Sequence, residues 1–160
     1  MSIRCGLSYL FWRALFRILA TLLFDLKVYG RGNIPESGGV LLATNHLSFL
    51  DPVLIGVQLK RPVRYLAKSE LFRNPFFGWG LRSVHAYPVR QGAGDVGAIR
   101  ETIARLQEGH LLNIFPEGSR SEDGQLAPIQ AGVALVIRRA RVPVVPVAIT
   151  GSYEAWSRHR

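Results

Sequence analysis

Hydrophobic spacing changes several times along the chain, and the changes mark its parts. From Gly6 to Phe24, Leu, Phe, Ile, Trp and Ala dominate, with Arg13 and Arg17 as the charged interruptions. Tyr9, Arg13 and Arg17 recur at four-residue spacing, so a helix here carries a narrow polar stripe on an otherwise apolar surface. That is the pattern of an amphipathic segment in a membrane interface, with Trp12 and the arginines near the headgroups. A spanning helix needs about 20 mostly apolar residues, and here the charge-free runs, Cys5 to Trp12 and Ile18 to Phe24, are both shorter. A secretory leader does not fit either, because no Ala-x-Ala-like site follows. The alternative is a helix buried against the domain.

Beyond this segment, short apolar runs alternate with helical spacing. Val40 to Ala43, Val63 to Ala67, Val84 to Val89, Leu111 to Phe115 and Val142 to Ile149 read as strands. Between them, Pro52 to Val57 begins a helix that Asp51 is suited to cap, and Asn74-Pro75 opens a short aromatic helix. Asp95 caps another that Gly109 ends, with Ile99, Ile103 and Leu106 on one face; Gln130 to Ala140 is the last. The alternation predicts an α/β fold with a mostly parallel or mixed sheet flanked by helices. At 160 residues the chain holds one core. The expected division is an amphipathic segment over residues 1–28 and a single domain over 29–160.

The stretch Thr44-Asn45-His46-Leu47-Ser48-Phe49-Leu50-Asp51-Pro52 lies between the first strand and the first internal helix. Five residues apart, His46 and Asp51 would diverge on a helix, so His46 belongs to a loop that can fold its ring back toward Asp51. An imidazole next to a carboxylate is the arrangement of general-base catalysis: the ring takes a proton from a hydroxyl, and the carboxylate fixes the tautomer. The plain alternative is a helix cap beside a hydrogen-bonded loop histidine.

Composition narrows the partners. Twenty Lys and Arg against eleven Asp and Glu give +9, which favours anionic partners: nucleic acid, an acidic lipid surface or phosphorylated substrates. The apolar share of 48% excludes a disordered chain. The single cysteine, Cys5, excludes an intramolecular disulfide. Gly92-Ala93-Gly94-Asp95-Val96-Gly97 matches the dinucleotide fingerprint in form only, since Pro88 interrupts the preceding strand and Asp95 would set a carboxylate where a pyrophosphate belongs. No nucleophile elbow, Walker loop or paired cysteines occur, and no metal site is expected. Nor is there a nucleic-acid motif, and Trp and Phe cluster in the apolar start rather than among the basic residues.

Phe115-Pro116-Glu117-Gly118-Ser119-Arg120-Ser121 follows a buried strand and offers a guanidinium and hydroxyls suited to a phosphate. In a parallel sheet, Arg90 and Lys68 would reach the same crevice from the ends of their own strands. Taken singly, each of these cations also reads as an ordinary solvated side chain.

Taken together, Asn45-His46 with Asp51, Tyr87-Pro88-Val89-Arg90, Phe115 to Ser121 and Val142-Pro143-Val144-Val145-Pro146-Val147 resemble, in that order, the bacterial 1-acyl-glycerol-3-phosphate acyltransferase (lysophosphatidic acid acyltransferase) family. The resemblance implies a glycerolphosphate acyltransferase-like fold, with His46 as general base and Asp51 as its orienting partner. It further implies a glycerophosphate site of Arg90, Glu117, Gly118 and Arg120, to which Lys68 is added from its strand-end position, and an acyl pocket walled by the strand from Pro143 to Pro146. No cofactor is implied; acyl-CoA or an acyl carrier protein enters as co-substrate. The partners expected are membrane lipids and the acyl donor, not nucleic acid, at the cytoplasmic face of the cell membrane. Acylation of another lysolipid is the nearest alternative, and a basic nucleic-acid-binding module the distant one. Two departures stand out. Pro88-Val89-Arg90 replaces the family's Ile-Asp-Arg or Val-Asp-Arg, so only the arginine carries over. The family also continues well past the Pro-Val-Val-Pro strand, whereas only Ser152 to Arg160 follow Gly151 here, so a C-terminally truncated domain is expected.

Overall fold

The computed structural model describes residues 7–89 and 96–157. Five parallel strands, β1 (Val40–Thr44), β2 (Val63–Lys68), β3 (Ala86–Val89), β4 (Leu111–Ile114) and β5 (Val144–Val147), form one sheet in the order β3-β2-β4-β1-β5. The helices are α1 (Leu7–Phe24), α2 (Asp51–Gln58), α3 (Pro75–Ser83), α4 (Val96–Gln107), α5 (Ala131–Ala140) and the short α6 (Ser152–Trp156). Crossovers between parallel strands are almost always right-handed, so the direction of travel decides the face. The steps from β1 to β2 and from β2 to β3 put α2 and α3 on one face; the return through β4 to β5 puts α4 and α5 on the other.

The central strands are apolar on both sides because both sides are covered. Val40, Leu42, Val63 and Leu111 pack with Ile55 of α2, while Leu41 and Leu112 pack with Leu106 of α4 and with Val136 and Ala140 of α5. Ile99 and Ile103 join the second cluster, as their spacing predicts. Pro88 and Pro146 lie in β3 and β5, the two edge strands, where a missing N–H breaks a ladder on one side only. Pro88 therefore does not prevent a strand there, but the strand starts at Ala86: Val84 closes α3, and His85 turns the chain at φ 60°. The last strand is shorter than its Val/Pro pattern predicts for the same kind of reason, pairing with β1 only over Val144 to Val147.

Asn74 caps α3, its side chain accepting from Phe76 N and Phe77 N at 3.0 and 3.2 Å. Asp51 does not cap α2; it is the first helical residue and its carboxylate turns back into the preceding loop. The expected cap at Asp95, and with it most of the glycine fingerprint, lies outside the described residues.

Two members of the polar stripe of α1, Tyr9 and Arg13, face the domain and not headgroups, while Arg17 stays exposed. Tyr9 is buried edge-on against His85 at 4.8 Å between ring centres. The Arg13 guanidinium donates to the carbonyls of Leu59 and Lys60 at the end of α2, at 3.3 and 3.1 Å, meeting acceptors left open by the helix C-terminus. The outward surface is apolar, with Leu7, Phe11, Ile18, Leu22 and Leu23 exposed. The chain from Lys60 to Arg90 is a basic stretch, balanced only by Glu70, and it is likewise divided. Arg61 staples loops through the carbonyls of Pro35, Gly38 and Gly109, and Arg64 lies over the Tyr87 ring, leaving Lys60, Lys68, Arg73 and Arg82 as exposed cations among its described members.

Candidate active site

All five strands run the same way, so Thr44, Lys68, Val89, Ile114 and Val147 end on one side of the sheet. The loop after β1 is fixed there from three directions. Thr44 Oγ1 donates to Asn113 Oδ1 at 2.6 Å. The Asn45 amide exchanges two hydrogen bonds with the Ile149 backbone, at 2.9 and 2.7 Å, extending the β1–β5 pairing past the end of β5. His46 N donates to Glu117 Oε2 at 2.8 Å, and His46 O accepts from Ser121 N at 2.8 Å. Both backbone groups of His46 are thus held by the loop after β4.

His46 Nδ1 lies 2.9 Å from Asp51 Oδ2. The same oxygen receives Leu47 N and Ser48 N, each at 2.7 Å, and Asp51 is fully buried. Three donors on one carboxylate oxygen, at the positive end of α2, hold the negative charge in place without a cation. With Asp51 accepting from Nδ1–H, the neutral ring carries its lone pair on Nε2, which makes no hydrogen bond to any described residue. The ring stacks on Phe115, with centroids 3.8 Å apart and planes at 15°. Its orientation is therefore set on one edge by Asp51 and on one face by Phe115.

Glu117, which the resemblance puts in the glycerophosphate site, also serves the histidine loop. It is buried and accepts the His46 amide, so it braces the histidine loop. Gly118 adopts φ 75°, the left-handed conformation that glycine supplies without steric cost, and its N–H is already donated to Phe115 O at 3.0 Å. That amide is spent in the turn and is not free to meet a developing oxyanion. The Arg120 guanidinium sits 3.4 Å over the Phe49 ring, and Phe49 in turn packs 6.0 Å from Trp156. Ser48 Oγ donates to Trp156 O at 2.7 Å, tying α6 to the same loop.

His46, Asp51, Glu117, Gly118 and Arg120 are thus brought together. Lys68 is exposed at the tip of β2, two strands from β1 and so on the order of 10 Å along the rim. Arg90 lies outside the described residues. Of the two prolines expected to wall an acyl pocket, Pro146 pairs with Ala43 near the carboxyl end, whereas Pro143 accepts from Leu41 N at the opposite end of the edge strand. Phe49, Phe115 and Trp156 were not singled out as site residues. Phe49 and Phe115 lie inside the motifs themselves, but no local pattern marks Trp156.

Comparison with known proteins agrees with this fold. The Acyltransferase family model matches residues 25–150. The 1-acyl-sn-glycerol-3-phosphate acyltransferase of Bacillus subtilis is 31% identical over 144 residues, covering 89% of this chain and 71% of that protein. A lyso-ornithine lipid O-acyltransferase of Pseudomonas aeruginosa is 32% identical over 137 residues, covering 85% of this chain and 51% of that protein. The crystal structure of the 1-acyl-sn-glycerophosphate (LPA) acyltransferase of Thermotoga maritima superposes with a TM-score of 0.78 at 29% identity, over 95% of this chain and 61% of that one. The chain therefore spans less than two thirds of the length of that structure and of the Pseudomonas relative. From the family match and these relatives, the chain belongs to the acyltransferase family that includes the bacterial 1-acyl-sn-glycerol-3-phosphate acyltransferases.

Proposed function

We propose that this chain transfers a fatty acyl group from an acyl thioester, acyl-CoA or acyl carrier protein, to the free hydroxyl of 1-acyl-glycerol-3-phosphate, giving phosphatidic acid. The observation that carries this is the His46 Nδ1 to Asp51 Oδ2 contact of 2.9 Å, which leaves Nε2 for the acceptor hydroxyl. In the proposed step His46 Nε2 takes the hydroxyl proton as the oxygen attacks the thioester carbonyl. The tetrahedral intermediate collapses, the carbon–sulfur bond breaks, and the imidazolium returns its proton to the departing thiolate. Asp51 keeps the tautomer and faces the positive charge that forms, and the Phe115 ring beneath the imidazolium adds about 0.5–2 kcal/mol of cation–π attraction. The acyl group passes directly, with no covalent acyl-enzyme and no cofactor. Arg120, joined by Arg90 and Lys68 along the rim, meets the acceptor phosphate.

Residues 29–160 constitute the catalytic domain in this reading, and the N-terminal segment a membrane-associating element. No helix among the described residues is long and apolar enough to cross a membrane. The exposed apolar surface of α1 fits a peripheral or monotopic seat on the cytoplasmic face of the membrane. A second acceptor class, another lysolipid, is favoured by the Pseudomonas relative's name and by a His46–Asp51 pair that is indifferent to headgroup.

The test is a purified-chain assay with an acyl thioester and a panel of lysolipids. Turnover highest with lysophosphatidic acid is expected. Turnover confined to an uncharged or zwitterionic lysolipid would reassign the acceptor, and none with any lysolipid would sink the reading.

A further inference from the structure

Helix α3 is built inside out. Gly78 is its buried residue; a Cβ there would stand 2.9 Å from the Phe72 carbonyl oxygen, so the helix lies against the preceding 3-10 turn on its smallest side. Its largest apolar side chains point away: Phe76, Phe77 and Trp79 are 77%, 63% and 54% exposed. Leu71, just before the helix, is exposed as well. A helix in water buries such residues against its domain, and this one could not, because turning its aromatic arc inward would force the backbones apart.

Around this face stand cations. Lys68, Arg73 and Arg82 are exposed, against the single carboxylate of Glu70, and Arg82 lies 5.4 Å over the Phe72 ring. The face also continues into α1. Trp79 meets Trp12 at 6.4 Å, and Trp12 packs with Phe11 and Phe16, so the aromatic surface runs from one helix to the other on the same side of the sheet. Because α3 begins just beyond the tip of β2, its Phe76–Phe77 end lies at the carboxyl rim that also carries His46.

We infer that α3 is a second membrane-contacting element, inserting Phe76, Phe77 and Trp79 into the interface of an anionic bilayer while Arg73 and Arg82 meet its headgroups. Aromatic residues prefer that depth, and a basic rim complements acidic lipid. With α1 and α3 both seated, the rim carrying His46 is held close to the leaflet, so a lysolipid enters along the aromatic face rather than through water. The inference rests on the proposed reading of the chain as a lipid-acylating enzyme at a membrane surface.

The test uses the full chain in flotation with vesicles of phosphatidylcholine, alone or mixed with phosphatidylglycerol. Phe76→Ser/Phe77→Ser should weaken partition about tenfold or more. Arg73→Gln/Arg82→Gln should reduce the preference for the anionic mixture by about fivefold per residue while leaving binding to neutral vesicles little changed. Fluorescence of Trp79, isolated by Trp12→Phe/Trp156→Phe, should be quenched by lipids brominated on the acyl chain, a readout that keeps α3 intact. Unquenched Trp79, or undiminished partition of folded Phe76→Ser/Phe77→Ser, overturns the assignment. So does retained vesicle binding with a raised KM for acyl carrier protein alone, which would hand the face to that carrier. Turnover of a short-chain, monodisperse lysophosphatidic acid separates the two ideas: it should be equal in wild type and Phe76→Ser/Phe77→Ser. If the wild type lacks it with every lysolipid, the functional reading fails whatever the vesicles show.

Discussion

The Arg120 guanidinium lies 3.4 Å over the Phe49 ring, joining the loop after β4 to the loop that holds His46 and Asp51. Phe49 is a residue of that histidine loop, so the cation proposed to meet the acceptor and the base proposed to deprotonate it share one support. A cation over a ring is worth about 0.5–2 kcal/mol. Phe49→Leu should therefore raise KM for a phosphate-headed acceptor by about twofold to thirtyfold with kcat less affected, and Phe49→Tyr should restore it. A Leu variant whose loss falls wholly on kcat would show that the ring serves the histidine, not the arginine.

Arg120→Lys should be as costly as the change looks mild. A guanidinium offers planar, paired donors and a flat face for Phe49, and an ammonium offers neither. Losing about 1.5–3 kcal/mol corresponds to roughly tenfold to hundredfold in kcat/KM with lysophosphatidic acid. Arg138 and Arg139, exposed in the last turn of α5, are the controls, and their lysine variants should stay within about twofold. Similar small effects at all three positions would place the phosphate elsewhere.

His46→Ala should abolish nearly all turnover and leave the fold intact, since the ring is partly exposed and its backbone anchors to Glu117 and Ser121 persist. Asp51→Asn differs. Beyond misdirecting the tautomer it weakens two charge-assisted bonds from Leu47 N and Ser48 N, each worth about 1.5–3 kcal/mol with a full charge. The expected result is a loss of both turnover and unfolding free energy, read by kinetics and urea titration. An Asn variant as stable as wild type would mean that Asp51 acts on the ring alone.

What could be read from the residues, and what could not, follows from how far each interaction reaches along the chain. The strand and helix order, the covered parallel sheet and the meeting of His46 with Asp51 all rest on neighbours or on regular spacing. The bracing contact of Glu117 is not legible in the sequence, because its partner, the amide of His46, is distant along the chain. Tyr9 and Arg13 were misread because periodicity shows that a stripe exists but not which side meets the domain; His85 and the carbonyls after α2 decide that. Trp156 joins the site through its backbone oxygen and one ring contact, neither of which leaves a local pattern.

Glu117 supplies a direct test of that bracing role. Glu117→Gln keeps an oxygen for His46 N and should be tolerated, whereas Glu117→Ala leaves a part-buried amide unpaired at a cost of about 1–3 kcal/mol. Its kcat should fall because His46 is displaced, with KM for the phosphate acceptor nearly unchanged. A rise confined to that KM would assign Glu117 to the acceptor site alone.

At the far end of the sheet, acid should weaken the fold through His85 and His110. Burial is the main cause holding both imidazoles below their ordinary pKa of 6.5, and the Arg64 charge adds to it; for His110, Arg105 acts in the same sense and Glu108 opposes. In both, Nδ1 is buried and has no hydrogen-bond partner among the described residues, so a proton there would meet no acceptor. The unfolded chain thus binds more protons than the folded one once the pH drops below about 6.5. Stability rises with pH in that window and is lost as the pH falls through the depressed folded values. Asparagine suits position 85, whose φ of 60° lies in the left-handed region that it tolerates better than most residues. The double variant His85→Asn/His110→Asn should flatten the decline of the urea-unfolding free energy between about pH 7 and about pH 5.5. A slope equal to that of the wild type would move the acid sensitivity to the carboxylates instead.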